Sequence, residues 1–225
     1  MDRKELAIKL FKVGAIQFGK FRLKMHEKYP DAPLSPIYLN LRMSPKGNLT
    51  GEIIGKIGQV LWKNARGPEF LFQLVVGLPK AGDPLAEALI KASDGIVGYN
   101  QLIFLKKEET STGRRILPEI DGEFIAGDGC LVVDDLITGA DTKLEGVLVL
   151  RDNNLSVKDC LVLVDREQGG KEELKKHGIK LHSVFTMSEL LNIYVEAGLI
   201  NKEVKQEVID YQKRGEEYIK EHSSK

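Results

Sequence analysis

Apolar residues in the first third of the chain recur mostly at helical spacing. Beyond residue 66, short apolar runs take turns with helical segments. Leu6, Ile8, Leu10, Phe11 and Val13 stand among charges over residues 3–13, an amphipathic helix that Gly14 ends. Two short strands are expected next, Phe18–Leu23 and Ile37–Leu41, separated by a polar stretch that contains Pro30, Pro33 and Pro36. Ile53, Ile54, Ile57, Val60, Leu61 and Trp62 mark a helix over residues 51–65. The unbroken apolar run Phe70–Val76 then suits a parallel strand buried on both faces. A helix over Pro84–Lys91 and a strand over Leu102–Leu105 follow. Residues 106–122 are polar and predict a long loop, a length usually kept for function. Strands at Cys130–Val133, Cys160–Val164 and Leu181–Val184 then interleave with helices at Thr142–Leu150, Lys171–His177 and Ser188–Ala197. Strict alternation of this kind predicts an α/β fold, a parallel sheet with helices on both faces. The expected organisation is one domain over residues 1–200, including an N-terminal hood of about 50 residues. Residues 201–225 should add a C-terminal helix ending in a frayed tail.

Composition narrows the classes. At 225 residues with 42% hydrophobic content, one sizeable core is possible. Lys+Arg and Asp+Glu are both 33, and this balance argues against a dedicated nucleic-acid or membrane-surface binder. No apolar stretch has bilayer-spanning length, and the mixed-sign start Met1-Asp2-Arg3-Lys4-Glu5 is unlike a signal peptide. Cys130 and Cys160 both fall in strand-like runs, as buried thiols of a reducing, cytoplasmic compartment would. The four histidines show no ligand spacing, so no structural zinc is expected.

Chemistry is expected at the carboxyl ends of the parallel strands, where open sheets bind ligands. The richest end is Val132-Val133-Asp134-Asp135-Leu136-Ile137-Thr138-Gly139-Ala140-Asp141-Thr142. Two acceptor-only carboxylates suit a diol such as the ribose hydroxyls, and a small, hydroxylic turn opening a helix suits an anion. The plainer alternative makes the acids turn formers and Asp141 a helix N-cap. A second end, Val76-Gly77-Leu78-Pro79-Lys80-Ala81-Gly82-Asp83-Pro84, offers Lys80 to an anion or is an ordinary turn. A third, Val164-Asp165-Arg166-Glu167-Gln168-Gly169-Gly170, offers Arg166 as a carboxylate clamp or as a surface ion pair with Glu167. The polar stretch holding Lys106, Lys107, Arg114 and Arg115 reads as an electrostatic lid or as a solvated loop.

Val132-Val133-Asp134-Asp135-Leu136-Ile137-Thr138 resembles the start of the ribose-phosphate diphosphate motif of type I phosphoribosyltransferases. Asp165 to Gly170 narrows the resemblance to orotate phosphoribosyltransferases, especially the form found in bifunctional uridine monophosphate synthases. The segments Ala15 to Lys24, Ser35 to Arg42, Gly77 to Ala86 and Met187 to Leu191 agree in order, so the likeness spans nearly the whole chain. It implies transfer of a phosphoribosyl group from magnesium-bound phosphoribosyl diphosphate to orotate, giving orotidine 5′-monophosphate and diphosphate. Mg2+ would be carried by the diphosphate and not by protein ligands. The resemblance implies that Asp134 and Asp135 bind the ribose hydroxyls and that Thr138, Gly139, Ala140, Asp141 and Thr142 hold the 5′-phosphate. Lys80 and Ala81 would lie in the diphosphate loop, and Lys24, Tyr38 and Leu39 at the base and diphosphate site. Thr138 and Arg166 would read orotate, and Lys106 and Lys107 would cover the neighbouring site of a homodimer. An oxocarbenium-type displacement of this sort depends on positioning and electrostatics.

Four positions depart from the family pattern. Thr110 and Thr112 replace the lid's lysine and histidine, and Ala140 and Asp141 stand in the phosphate turn. They keep a second reading open, a catalytically weak or silent homologue that binds a nucleotide or phosphoribosyl ligand as regulator or scaffold. A phosphoryl-receiving signalling domain is a third reading, but it would need a further acceptor aspartate and a shorter chain.

Overall fold

A computed structural model describes all residues except Lys24, 68–69, 94–100, 111–112 and 224–225. Helix α1 (Arg3–Lys12) begins with a reciprocal cap: Asp2 accepts from the Glu5 N–H at 2.8 Å, and Glu5 accepts from the Asp2 N–H at 3.0 Å. Leu6, Ala7 and Leu10 form its buried face. Gly14, at φ +70°, turns the chain into β1 (Ile16–Phe21). This strand pairs antiparallel with β2 (Ser35–Leu39) across the short α2 (Met25–Lys28). Both strands start two residues before their expected positions, because pairing begins at Ile16 opposite Leu39.

The second body is a six-stranded sheet of β3 (Leu74–Gly77), β4 (Gln101–Thr110), β5 (Gly113–Asp121), β6 (Gly129–Ile137), β7 (Ser156–Asp165) and β8 (Lys180–Thr186). The spatial order is β5-β4-β3-β6-β7-β8, parallel throughout except for antiparallel β5 at one edge. Side-chain alternation along the strands divides the core. Leu131, Val133, Leu161 and Leu163 face α1, α3 (Gly51–Ala65), α4 (Asp83–Ala92) and α7 (Met187–Glu196). Cys130, Val132, Cys160 and Val162 face α5 (Asp141–Asp152) and α6 (Gly170–Lys176). Helices α3 and α4 approach closely at Gly58, where any Cβ would collide with the Ala88 backbone. Helix α8 (Lys202–Ser223) buries Val208 and Tyr211 and packs against β2. Among the described residues no helix is long and apolar enough to cross a membrane.

Two expectations are corrected. Residues 106–122 are not a loop but most of the β4–β5 hairpin. Opposite charges meet across it, Arg115 with Glu108 and Lys106 with Glu119 at 4.0 Å. Ile116 is buried, and its N–H donates to Glu145 of α5. The run Phe70–Val76 is strand only from Leu74, where pairing with Cys130 starts. Before it, Phe70 and Phe72 are both buried in T-shaped contact at 6.4 Å while Leu71 is exposed.

Candidate active site

Strands β3, β6 and β7 lie side by side, and their carboxyl ends bring three of the four expected loops together. At the end of β6, Asp134 is buried and both its oxygens are engaged. Oδ2 pairs with Lys143 Nζ at 2.6 Å, and Oδ1 accepts from the Asp135 N–H at 2.9 Å. Lys143 comes from the first turn of α5 and also donates to the Leu136 carbonyl at 2.6 Å. Burial, the largest single influence, pulls the Lys143 ammonium down, but the charge and hydrogen bond of Asp134, with Cys160 and Asp135 adding to them, together raise its pKa. Asp135 accepts from the Leu136 N–H through Oδ1 at 2.8 Å. Burial and then the Asp134 charge push its carboxyl up to about 7, against the pull of Lys143.

The chain then turns through Thr138, Gly139 and Ala140 into α5. Gly139, Asp141 and Thr142 are exposed, and a Cβ on Gly139 would meet nothing within 4 Å, so the turn opens outward. Asp141 is the first helical residue and not the N-cap. Ala140 holds that position, without a side-chain bond, so the capping alternative for Asp141 is set aside.

The β3 loop is folded tightly onto this end. Leu78 N–H donates to the Val133 carbonyl at 2.9 Å and Gly82 N–H to the Leu78 carbonyl at 2.8 Å. Only glycine fits at 82, where a Cβ would strike the Val133 oxygen. Lys80 is exposed, Ala81 is half-buried, and the Pro79–Lys80 peptide is cis. Asp83 opens α4 with Oδ1 buried and unpaired. Burial, then Glu87 and Asp134, push its carboxyl up to about 6, with Lys80 opposing.

At the end of β7, Asp165 accepts from the Glu167 N–H at 2.8 Å, and burial raises its pKa. Arg166 donates its N–H to the Ile137 carbonyl at 3.0 Å, and its own carbonyl accepts from Gln212 of α8 at 2.5 Å. The Arg166 Nε is buried with no partner, and burial lowers the guanidinium pKa while Tyr211 opposes the shift. The surface pair with Glu167 does not form. That carboxylate instead accepts from the Ser188 N–H at 2.7 Å.

Other expected residues stand apart. Tyr38 and Leu39 sit half-buried on β2, Tyr38 against Phe21 at 5.6 Å. Lys106 and Lys107 are on the hairpin, and no contact among the described residues joins them to the acidic pair. Lys24 and Thr112 lie outside the described residues. Asp83, Lys143, Tyr211 and Gln212 were not among the expected site residues. The available signal for Lys143 was its place with Gly146, Val147 and Leu150 on the buried stripe of α5. Among the described residues no three or more His, Cys, Asp or Glu side chains form a metal-binding group.

No family model matches the chain. It is similar to uridine 5′-monophosphate synthase of Bos taurus, 33% identical over 200 residues, which cover 88% of this chain and 38% of that protein. It is also similar to orotate phosphoribosyltransferase of Chlamydia caviae, 30% identical over 190 residues, 84% of each chain. Among solved structures it resembles Leishmania donovani UMP synthase at a TM-score of 0.75 and 28% identity, over 95% of this chain and 43% of that one. The chain thus spans less than half the length of these two synthases and most of that transferase.

Proposed function

This chain belongs to the orotate phosphoribosyltransferase family, and from that premise we propose that it transfers the 5-phosphoribosyl group of phosphoribosyl diphosphate to orotate, a step of pyrimidine biosynthesis. The bond from C1′ to diphosphate breaks, a bond from C1′ to the orotate ring nitrogen forms, and the nitrogen's proton leaves to solvent. The observation that carries this reading is one carboxylate-bearing strand end beside an arginine whose Nε is buried and unpaired. Asp134 and Asp135 make the sugar site, and Thr138 to Thr142 the open turn for the 5′-phosphate. Lys80 and Ala81 receive diphosphate. Thr138 and Arg166 read orotate, whose carboxylate gives the arginine a charge-assisted partner. Tyr38 and Leu39 border the base and diphosphate.

Mg2+ would enter with the diphosphate. The half-buried Asp135 carboxylate beside the open turn fits the sugar of a donor that carries this ion, with Oδ1 accepting from the Leu136 N–H. The ion would offset charge on the leaving diphosphate, while Asp134 and Asp135 keep to the sugar. Lys106 and Lys107 would serve the neighbouring protomer's site in a cytoplasmic homodimer. The buried free thiols Cys130 and Cys160 suit that compartment.

Incubation with Mg2+, phosphoribosyl diphosphate and a panel of bases, read by mass spectrometry, tests the reaction. Orotidine 5′-monophosphate is expected, and its absence with donor still bound favours the silent-homologue reading. The exposed carboxylate of Asp141 supports that second reading. A unit anion about 4 Å from a phosphate charge costs roughly 4 kcal/mol at an effective dielectric near 20.

A further inference from the structure

The two adjacent aspartates at the end of β6 are unequal in their surroundings. Asp134 and Lys143 are each 8% exposed and 2.6 Å apart. Both Asp134 oxygens are taken by protein donors, and the second Lys143 bond goes to Leu136 just beyond the pair. Asp135 has one N–H donor among the described residues, that of Leu136 at its Oδ1, and its side chain otherwise meets the Asp134 carboxylate. Lys143 therefore touches the strand on both sides of Asp135 without bonding to it.

We propose that Lys143 is a positioning residue that divides the acidic pair, holding Asp134 as a structural anion and leaving Asp135 to meet the ribose hydroxyls. This rests on the reading of the β6 end as a phosphoribosyl site and deepens it. A neutralised Asp134 does not repel a multiply charged donor, and the Leu136 anchor fixes the backbone that aims Asp135. Without the ammonium, the Asp134 carboxylate repels Asp135 on one side and Asp83 on the other, where Lys80 opposes it.

The test is calorimetric titration with phosphoribosyl diphosphate and Mg2+, beside thermal unfolding. Asp135→Asn is expected to weaken donor binding about 10- to 100-fold with little change in Tm, as for a lost hydrogen bond to a charged group. Asp134→Asn is expected to lower Tm and weaken donor binding only about threefold. Lys143→Met should raise the donor Kd about tenfold, Lys143→Gln should do the same, and Lys143→Arg should restore it. A purely structural lysine would lower Tm in Lys143→Met and leave the Kd of the folded protein unchanged, and that result overturns the proposal. Equal losses of affinity in folded Asp134→Asn and Asp135→Asn also overturn it, and this comparison decides alone if the Lys143 variants do not fold. A wild type that binds donor but makes no orotidine 5′-monophosphate defeats the transferase reading without touching this division. A wild type that binds no donor defeats both.

Discussion

The ends of β6 and β7 are neighbours in one sheet, yet they treat a buried cation in opposite ways. Lys143, at the first, has a carboxylate at 2.6 Å and a carbonyl at the same distance. Arg166, at the second, leaves its Nε sealed from water with no protein partner. Desolvating a charge is costly, so a fold keeps an unpaired one only when something else repays the cost. The difference separates a cation the protein pairs with its own groups from one that leaves a nitrogen unpaired, the one that the proposed function assigns to orotate.

Breaking the satisfied cation should have the larger effect. Lys143→Met leaves Asp134 uncompensated and is expected to destabilise the protein by about 3–5 kcal/mol, read by urea unfolding. At the unsatisfied cation the loss should appear in binding. Arg166→Ala is expected to weaken orotate by about 2–3 kcal/mol and uracil, which has no carboxylate, far less. Equal losses in calorimetry would make Arg166 structural. The same site should also respond with the reverse sign of Lys143, because Arg166→Met removes a desolvated charge. The ligand-free protein is expected to gain about 1–2 kcal/mol by the same unfolding assay.

The smallest effect concerns Asp83, which adds a third carboxylate to the satisfied end. Its folded pKa of about 6 lies above the ordinary 3.8, so the native state holds the proton more tightly than the unfolded chain does. Its favourable contribution is full below pH 3.8 and is lost as pH rises through 6. Asp83→Asn should therefore raise Tm at pH 8 by about 2–4 °C, for roughly 1 kcal/mol in a chain of this size, and leave it unchanged near pH 3.5. A gain that persists unchanged at the acid end would locate the effect in packing instead.

Much of this arrangement was legible in the residues. The alternation after residue 66 announced the parallel sheet, and Val133-Asp134-Asp135 announced the strand end, because buried strands are apolar and their ends are not. The β4–β5 hairpin was hidden since its outer half carries charges on most positions. It holds together by cross-strand pairing of Glu108 with Arg115, which sequence periodicity does not record. Lys143 was hidden for another reason. A lysine in a helix is usually solvated, and only the three-dimensional approach of α5 to β6 gives this one a buried carboxylate. Tyr211 and Gln212 lie some 46 positions beyond Arg166, a separation at which local pattern carries no information.

The N-terminal helix has a consequence for how the chain is made. Arg3 bonds to the Val184 carbonyl and to Glu189, Lys4 to Glu196, and the Tyr194 hydroxyl donates to the Ala7 carbonyl across 187 positions. During vectorial synthesis α1 leaves the ribosome well before residues 184–196, so it can meet β1 and α3 early but α7 only late. The part of its face that packs on α7 stays open for about 10–40 s at the usual pace of synthesis. Docking of α1 on α7 is then among the last folding events, so a ribosome-stalled chain ending before residue 184 should leave residues 3–12 more open to protease than the whole chain does.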